Sequence, residues 1–256
     1  MRPSLIIIGA QKGGTSSLYQ MLRQHPKVLA PEVKELHFFE NDERYAKGLD
    51  HYWQQFPRKP IREPDMITFE ATPNYLFHAH KTAARIHQAL PGVLCLAMLR
   101  DPVKRAYSAW NMYRDFKGKP DYDHLAEDRS FAQAVEDEFT GKEQPAHKLY
   151  LARGYYSEQL AHFMQHFPRE QILVHGFKEL KERPHELFGK VCEKLGLEDL
   201  PRDHRVFTMK ANTRTYPLPM DADLAERLYD HFAPEMERLN KLLGRDLQLI
   251  EHRVGA

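Results

Sequence analysis

The sequence predicts an α/β fold with a mainly parallel central sheet flanked by helices. Short apolar runs without polar alternation, at residues 4–9 and 93–99, are typical of strands that are buried on both faces of a sheet. Segments with apolar residues at helical spacing separate such runs almost throughout the chain, which is the order in which crossover helices connect parallel strands. The sequence shows no internal repeat and no linker, so we expect one domain over residues 1–256.

The boundaries of the predicted elements follow from capping and turn residues. Asp101 and Pro102 are typical of a helix start. The aspartate can cap the first turn, and proline is tolerated there because the N–H that it lacks would have no partner within the helix. Gly196 is typical of a helix end. The predicted strands cover residues 4–9, 66–69, 93–99 and 171–175. The predicted helices cover residues 15–25, 81–90, 102–110, 131–139, 155–167, 186–195 and 221–243.

Composition excludes several classes of protein. The 256 residues carry a formal net charge of +1 without a long basic block, so bulk electrostatics give no reason to expect nucleic acid as a partner. No apolar segment reaches the length of a membrane span, and the run at residues 5–8 is too short for a signal peptide, so we expect a cytoplasmic protein. The two cysteines, Cys95 and Cys192, lie in apolar patterns typical of buried, reduced thiols.

The loop after the first strand, Gly-Ala-Gln-Lys-Gly-Gly-Thr-Ser-Ser, combines the parts of an anion site. Gly13 and Gly14 let the backbone approach an anion closely, and the helix start offers unpaired N–H groups and the positive end of a dipole. Lys12 adds a positive charge, and three hydroxyl side chains follow the glycines. A plain strand–helix turn would need only one glycine, so the loop predicts a phosphate-binding cradle.

The order of the loop residues distinguishes it from two common nucleotide motifs. A nucleoside-triphosphate loop has its lysine after the glycines, whereas Lys12 precedes them, and the Gly-x-Gly-x-x-Gly dinucleotide pattern is absent. The loop resembles that of the sulfotransferases that use 3′-phosphoadenosine 5′-phosphosulfate (PAPS), which implies a P-loop-like sulfotransferase fold. The resemblance further implies that Lys12 reaches the bridging oxygen of the donor. It implies that the 5′-phosphate is bound by Lys12, Gly13, Gly14, Thr15 and Ser16.

A second motif follows the apolar run at residues 93–99. Arg100 stands at the carboxyl end of this predicted strand, where open α/β sheets bind ligands, and a guanidinium can form two parallel hydrogen bonds to a phosphate. The segment resembles the 3′-phosphate motif of the same family, which implies that Arg100 and Ser108 bind that group. We expect Arg105 to be a charge on the helix face or a structural partner rather than a ligand.

A catalytic base is predicted in the segment Glu-Leu-His-Phe-Phe at residues 35–39. Glu35 and His37 are two residues apart, so an extended backbone would place both on one side. The segment resembles the Glu-x-His-Phe-Phe stretch of heparan-sulfate-type sulfotransferases, which implies that Glu35 is the base and His37 a second active-site residue. The alternative is that Glu35 only pairs with Lys34. Phe38 and Phe39 are expected in the core.

The rest of the chain gives weaker signals. The segment at residues 70–75 resembles a family segment in which Ala71 takes the place of a lysine. A basic loop closes over the nucleotide in relatives, which assigns Arg214, and less strongly Lys210, to donor binding; solvated loop charges are the alternative. Among fifteen histidines the only close pair outside the motifs is His78 with His80, so no metal site is predicted.

Together the motifs predict a sulfotransferase that transfers a sulfuryl group from PAPS to an acceptor hydroxyl by in-line displacement, with adenosine 3′,5′-bisphosphate as the product. The expected acceptor is a small molecule or a glycan, with a preference for sugar hydroxyls or similar alcohols. One alternative is a P-loop kinase that uses ATP and magnesium. The other is a non-catalytic nucleotide- or glycan-binding relative. The sequence favours no particular oligomeric state.

Overall fold

A single parallel sheet organises the fold. The computed structural model describes residues 1–58, 65–208 and 219–250, and within them five strands form a sheet of order β2-β3-β1-β4-β5 in which every neighbouring pair is parallel. The strands are β1 (Leu5–Gly9), β2 (Val28–Leu29), β3 (Ile67–Ala71), β4 (Leu94–Leu99) and β5 (Ile172–Gly176). The predicted fold class, a mainly parallel sheet flanked by helices, is confirmed.

The helices alternate with the strands as predicted. In chain order they are α1 (Thr15–Arg23), α2 (Asp42–Tyr45), α3 (Leu49–Trp53), α4 (Asn74–Phe77), α5 (Ala79–Ala89), α6 (Pro102–Arg114), α7 (Phe131–Phe139), α8 (Tyr156–Met164), α9 (Phe177–Glu182), α10 (Pro184–Leu195) and α11 (Ala222–Leu243). Short 3₁₀ turns lie at Asp123–Leu125, Ala146–Lys148, Ala152–Gly154, Arg169–Gln171 and Arg205–Phe207. The seven predicted helices and four predicted strands all exist, with ends shifted by a few residues.

The elements that sequence patterns did not predict are short. The strand β2 and the helices α2, α3, α4 and α9 have two to six residues each. Such segments are too short to show a hydrophobic period, because one helical turn already takes 3.6 residues. They form because neighbouring elements supply their contacts, as when the backbone N–H of Ile67 donates to the Lys27 carbonyl beside β2.

Contacts between Cα atoms group the chain into two compact units. The first unit comprises Met1–Leu99 and Gln159–Thr213 and contains the whole sheet. The second comprises Arg100–Glu158 and Arg214–Ala256 and contains α6, α7 and α11. The expectation of one domain stays a prediction.

The core of the first unit forms where helices cover the sheet. All five residues of β1 are buried, and Leu5 and Ile7 pack in one apolar cluster with Leu18 of α1 and Phe188 of α10. Burying such side chains contributes roughly 1.5–3 kcal/mol each. Cys95 and Cys192 are buried, free thiols, as predicted.

The second unit has an apolar core of its own. Val103 and Trp110 of α6 pack with Phe131 of α7 and with Leu228 and Phe232 of α11. The carboxylate of Glu235 on α11 is buried and accepts hydrogen bonds from the backbone N–H and the hydroxyl of Ser157, in the first turn of α8.

Candidate active site

The anion loop connects the carboxyl end of β1 to the start of α1. The N–H of Ala10 donates to the Met98 carbonyl of β4 over 2.8 Å, and the N–H of Gly13 donates to the Ala10 carbonyl over 2.9 Å. These bonds fold the loop back over the end of the sheet. Lys12 has a positive φ of 66°, a conformation that few non-glycine residues adopt.

Both predicted glycines are required by the packing of the loop. A Cβ atom at Gly13 would lie 2.1 Å from the Met98 carbonyl oxygen, and one at Gly14 would lie 2.6 Å from Leu180 Cδ2. Gly14 also has a φ of 99° and is the N-cap residue of α1. Because only backbone occupies these positions, an anion can approach the N–H groups of the first helical turn, which have no acceptor within the helix.

The hydroxyl side chains that follow the glycines differ in exposure. Thr15 is buried, whereas Ser16 and Ser17 are half-buried at the helix start. The structure thus brings together Lys12 and the residues that the loop motif implied. Their role in binding a phosphate stays a prediction.

The segment that contains Glu35 lies along the carboxyl end of β3, next to β1. The N–H of Glu35 donates to the Ala71 carbonyl over 3.1 Å, and Ala71 is in register with Ile7 of β1. Phe38 and Phe39 are buried, as predicted. The carboxyl ends of two adjacent strands therefore hold the anion loop and the predicted base segment.

The backbone of this segment is not extended, contrary to prediction. Glu35 and His37 have φ values of 66° and 52°, in the left-handed region. Three N–H groups of the segment hold this backbone. That of Glu35 donates to the Ala71 carbonyl, that of His37 to Thr72 Oγ1 and that of Phe38 to the Tyr75 hydroxyl. The two side chains nevertheless lie on one side, as expected, with His37 Nε2 3.6 Å from Glu35 Oε2.

Two cationic groups flank the Glu35 carboxylate. Lys34 Nζ donates to Oε1, and His37 Nε2 lies beside Oε2. Burial acts to raise the pKa of Glu35, but hydrogen bonds and charge from His37 and Lys34 outweigh it and lower this pKa below its usual value. The carboxylate is therefore ionised at neutral pH. The pairing with Lys34, expected as an alternative to catalysis, is present and leaves the predicted role as a base open.

His37 has carboxylates on both sides of its ring. Hydrogen bonds to Glu35 and to Glu40, which contacts Nδ1, raise the pKa of His37 to about 9. Glu40 is buried and also accepts a hydrogen bond from Asn74 Nδ2 over 3.2 Å. The sequence patterns missed Glu40 and Asn74. The sequence did contain a signal for Glu40, because it is an acidic residue three positions after His37 and a turn can bring two such residues into contact.

The second predicted phosphate motif lies in the second unit. Asp101 caps α6 as expected, with Oδ1 accepting from the Lys104 N–H over 2.9 Å and Oδ2 from the Tyr229 hydroxyl over 3.0 Å. The Tyr156 hydroxyl donates to the Arg100 carbonyl over 2.9 Å, which fixes the backbone beside the cap.

The side chains of this motif differ in exposure. Arg100 is half-buried and Ser108 is buried. Their binding of a 3′-phosphate stays a prediction. Arg105 is fully buried and donates to the Tyr150 carbonyl, so it is a structural partner rather than an exposed charge on the helix.

Two further predictions concern residues or groups away from these motifs. Lys210 and Arg214 lie outside the described residues. Within residues 1–58, 65–208 and 219–250, no group of three or more His, Cys, Asp or Glu side chains is arranged to hold a metal ion. Over the same ranges, no helix has the length and apolar character needed to cross a bilayer.

Comparison with known proteins identifies the family. Residues 2–216 match the family described as the sulfotransferase domain. The chain belongs to the sulfotransferase family. The crystal structure of a sulfotransferase from Alicyclobacillus acidocaldarius superposes on this chain with a TM-score of 0.75, and the two sequences are 30% identical. The superposition covers 96% of this chain and 98% of the other. A mouse sulfotransferase, SULT7A1 complexed with PAP, shares the fold with a TM-score of 0.58 at 13% identity.

The names of two curated relatives say that they act on a glycan, heparan sulfate. Mouse heparan sulfate glucosamine 3-O-sulfotransferase 5 is 32% identical over 186 residues, which are 72% of this chain and 51% of the relative. Human heparan sulfate glucosamine 3-O-sulfotransferase 3B1 is 29% identical over 268 residues, covering 95% of this chain and 64% of the relative. The chain thus spans about half to two thirds of the length of these relatives.

The family assignment confirms the resemblance that the loop order indicated. The matched family is the one that the loop resembles and not a family of kinases. The assigned roles of individual residues are not decided by it.

The glycine requirement of the anion loop can be tested directly. We expect Gly13→Ala to lower the free energy of unfolding by about 1–3 kcal/mol, because the added Cβ must displace the Met98 carbonyl or the loop. Urea denaturation measures this change. Gly92→Ala is the matched control, because a Cβ there meets nothing within 4 Å, and we expect a change within about 0.5 kcal/mol. Equal effects of the two substitutions would refute the packing argument.

The charge of His37 predicts a pH dependence of stability. Because the folded-state pKa of about 9 lies above the usual 6.5, the stabilisation by protonated His37 is complete below pH 6.5 and is lost as the pH rises through 9. Thermal midpoints of wild type and His37→Asn should therefore differ most near pH 6.5 and converge near pH 9.5. The exposed His124→Asn serves as control. Parallel pH curves for wild type and His37→Asn would contradict the assignment.

Proposed function

We propose that the protein transfers a sulfuryl group from PAPS to a hydroxyl group of a sugar or another alcohol, with Glu35 as the catalytic base. One observation supports this most strongly: the Glu35 segment lies against the carboxyl end of β3, and the anion loop follows the carboxyl end of the adjacent strand β1. Open α/β sheets bind their ligands at this edge. The arrangement brings a carboxylate for the acceptor and an anion cradle for the donor to the same edge of the sheet.

The proposed reaction is a single displacement at sulfur. The Glu35 carboxylate takes the proton of the acceptor hydroxyl, and the acceptor oxygen forms a new bond to sulfur. The bond between sulfur and the bridging oxygen breaks, and its electron pair leaves with adenosine 3′,5′-bisphosphate. Lys12 and the loop N–H groups stabilise the negative charge on that leaving group, while binding both reactants in line lowers the entropic cost.

The electrostatics of the cluster separate the roles of Glu35 and His37. With a pKa of about 9, His37 is protonated at neutral pH, so both ring nitrogens are donors and it cannot accept the proton of the acceptor. Its role in the proposal is to orient the second oxygen of Glu35. The ionised Glu35 is the group that can accept a proton, once the acceptor hydroxyl displaces Lys34 from Oε1.

The proposed donor has two phosphate groups for two motifs. The 5′-phosphosulfate is assigned to Lys12 and the loop, and the 3′-phosphate to Arg100 and Ser108, with Arg214 as a further donor-binding residue outside the described ranges. The family assignment supports PAPS, and the related SULT7A1 structure holds PAP. No step of the proposed reaction uses a metal ion.

The proposed acceptor is a glycan hydroxyl. The two curated relatives compared above are heparan sulfate glucosamine 3-O-sulfotransferases, which supports sugar hydroxyls as the class to test first. Ala71, which takes the place of a lysine in the resembling family segment, is buried in the apolar cluster of the first unit and is paired with Ile7 of β1. Because no charge is present at this position, contacts to the acceptor are expected to differ from those of the heparan-modifying enzymes.

Removing the proposed base should abolish turnover without affecting the fold. We expect Glu35→Gln to lower the rate of transfer from radiolabelled PAPS to heparan sulfate by roughly 10²- to 10⁴-fold, because the amide cannot accept the proton. Glu32→Gln is the matched control on the same segment, since Glu32 is exposed. Transfer by Glu35→Gln at the wild-type rate would rule out the base assignment.

Calorimetry without metal tests the donor site. We expect adenosine 3′,5′-bisphosphate to bind more tightly than ATP, and Arg100→Ala to weaken that binding by roughly 10- to 100-fold through the loss of charged hydrogen bonds. Arg114→Ala, on the helix that follows, controls for a general loss of positive charge. Binding of ATP alone, and only with magnesium, would instead support the kinase alternative.

A further inference from the structure

A buried carboxyl group lies directly behind the Glu35 segment. Glu70 on β3 is fully buried, and three hydroxyl groups donate hydrogen bonds to it. Tyr52 donates to Oε2, while Thr72, over 2.8 Å, and Tyr75 donate to Oε1. Burial raises the pKa of Glu70 to about 7, and the three hydroxyl groups oppose that rise. Above that pH, Glu70 is a carboxylate without a cation among its direct partners.

Two of the three hydroxyl groups are also bonded to the segment that contains the proposed base. Thr72 Oγ1 accepts from the N–H of His37 over 3.4 Å, and the Tyr75 hydroxyl accepts from the N–H of Phe38 over 3.2 Å. A hydroxyl group has one hydrogen. Because that hydrogen is donated to Glu70, the lone pairs of each oxygen face the backbone N–H. The carboxylate therefore sets the orientation in which both hydroxyl groups accept.

We propose that Glu70 is a positioning residue, which acts through Thr72 and Tyr75 to fix the backbone on which Glu35 and His37 are presented. The proposal rests on the proposed function of Glu35 as the base. Left-handed φ values at two non-glycine positions need such support, because side chains other than glycine adopt this conformation only where the surroundings hold it. The N–H of Glu35 is held by the Ala71 carbonyl, and the Glu70 network holds the next part of the segment.

Only a carboxylate satisfies all of these bonds at once. Three hydroxyl hydrogens converge on Glu70, and an ionised carboxylate has acceptor sites for all of them. An amide would present an NH₂ group in place of one oxygen, so at least one hydroxyl group would have to turn. If Thr72 or Tyr75 turned, its hydrogen would face the N–H of His37 or Phe38, and two donors would oppose each other.

The third hydroxyl provides a control inside the same network. Tyr52 donates to Glu70 and its ring stacks on Phe38 at 4.7 Å, but within the described residues its oxygen accepts no backbone N–H of the segment. Tyr52→Phe therefore removes one donor from Glu70 and keeps the ring packing. Tyr75→Phe removes a comparable donor together with the bond to Phe38.

The test follows the imidazole of His37 by NMR, which needs neither donor nor acceptor. His37 lies between Glu35 and Glu40, and Lys34 pairs with the other oxygen of Glu35, so the pKa of His37 reports whether the segment keeps its place. Its signal is assigned by its loss in His37→Asn and titrated from about pH 6 to about pH 10.5. We expect a pKa of about 9 in wild type and a fall towards 6.5 in Thr72→Val and Tyr75→Phe. Thr72→Ser, which keeps the hydroxyl, and Tyr52→Phe should stay near the wild-type value.

Stability and transfer are measured on the same variants. Urea midpoints should fall for Tyr52→Phe as for Tyr75→Phe, since each removes a buried hydrogen bond to Glu70. With heparan sulfate as acceptor, Tyr75→Phe should lower kcat by roughly 10- to 100-fold, because the base is misplaced, while binding of adenosine 3′,5′-bisphosphate is unchanged. The decrease in kcat should be smaller for Tyr52→Phe.

Three outcomes would overturn the proposal. A wild-type pKa of His37 in folded Thr72→Val and Tyr75→Phe would show that the hydroxyl groups do not position the segment. An equal shift in Tyr52→Phe would show general loosening of the core instead. A shift in Thr72→Ser as large as that in Thr72→Val would show that the hydroxyl is not the relevant group. If wild type transfers no sulfuryl group, the proposed function fails while the titration still decides this inference.

Discussion

The parallel pairing of β1 with β3 on one side and β4 on the other is the constraint on which the candidate site depends. Because β1 is the middle strand, the loop that follows it lies between the carboxyl ends of both neighbours. The Met98 carbonyl at the end of β4 accepts from the loop and leaves no room for a side chain at Gly13. The Ala71 carbonyl at the end of β3 holds Glu35. The strand order therefore brings the anion loop and the base segment to one edge.

Charge compensation along the base segment sets its protonation state. Burial of the half-buried Glu35 acts to raise its pKa, but His37 and Lys34 outweigh this effect and lower it. Glu35 and Glu40 in turn raise the pKa of His37 to about 9. Beneath these charged side chains lies Glu70, whose hydrogen-bond partners are hydroxyl groups rather than cations. The ions at the surface of the site are thus supported by a network beneath them in which hydroxyl groups donate to one carboxyl group, so the network holds the segment in place without adding positive charge.

Local sequence predicted the long elements well. The helix α7 has the predicted bounds, because Ser130 caps it and its apolar residues recur at helical spacing. The start of α6 at Pro102 follows from the Asp101 cap. The short helices α2, α3 and α4 were missed. Of these, α3 places Tyr52, and α4 places Asn74 and Tyr75, beside the segment that contains Glu35.

The sequence by itself determined the fold class, the anion loop with Lys12 and its glycines, and the pairing of Glu35 with His37 as an acid–base candidate. These features are local, since a buried strand, a glycine turn and a short motif each lie within a few consecutive residues. Only the tertiary structure decided the left-handed backbone at Glu35, the contact of Glu40 with His37 and the burial of Glu70. The backbone at Glu35 and the burial of Glu70 depend on hydrogen bonds and packing between segments that are far apart in the chain, which no local pattern encodes. The contact of Glu40 with His37 spans only three residues, but it forms because the backbone turns at His37.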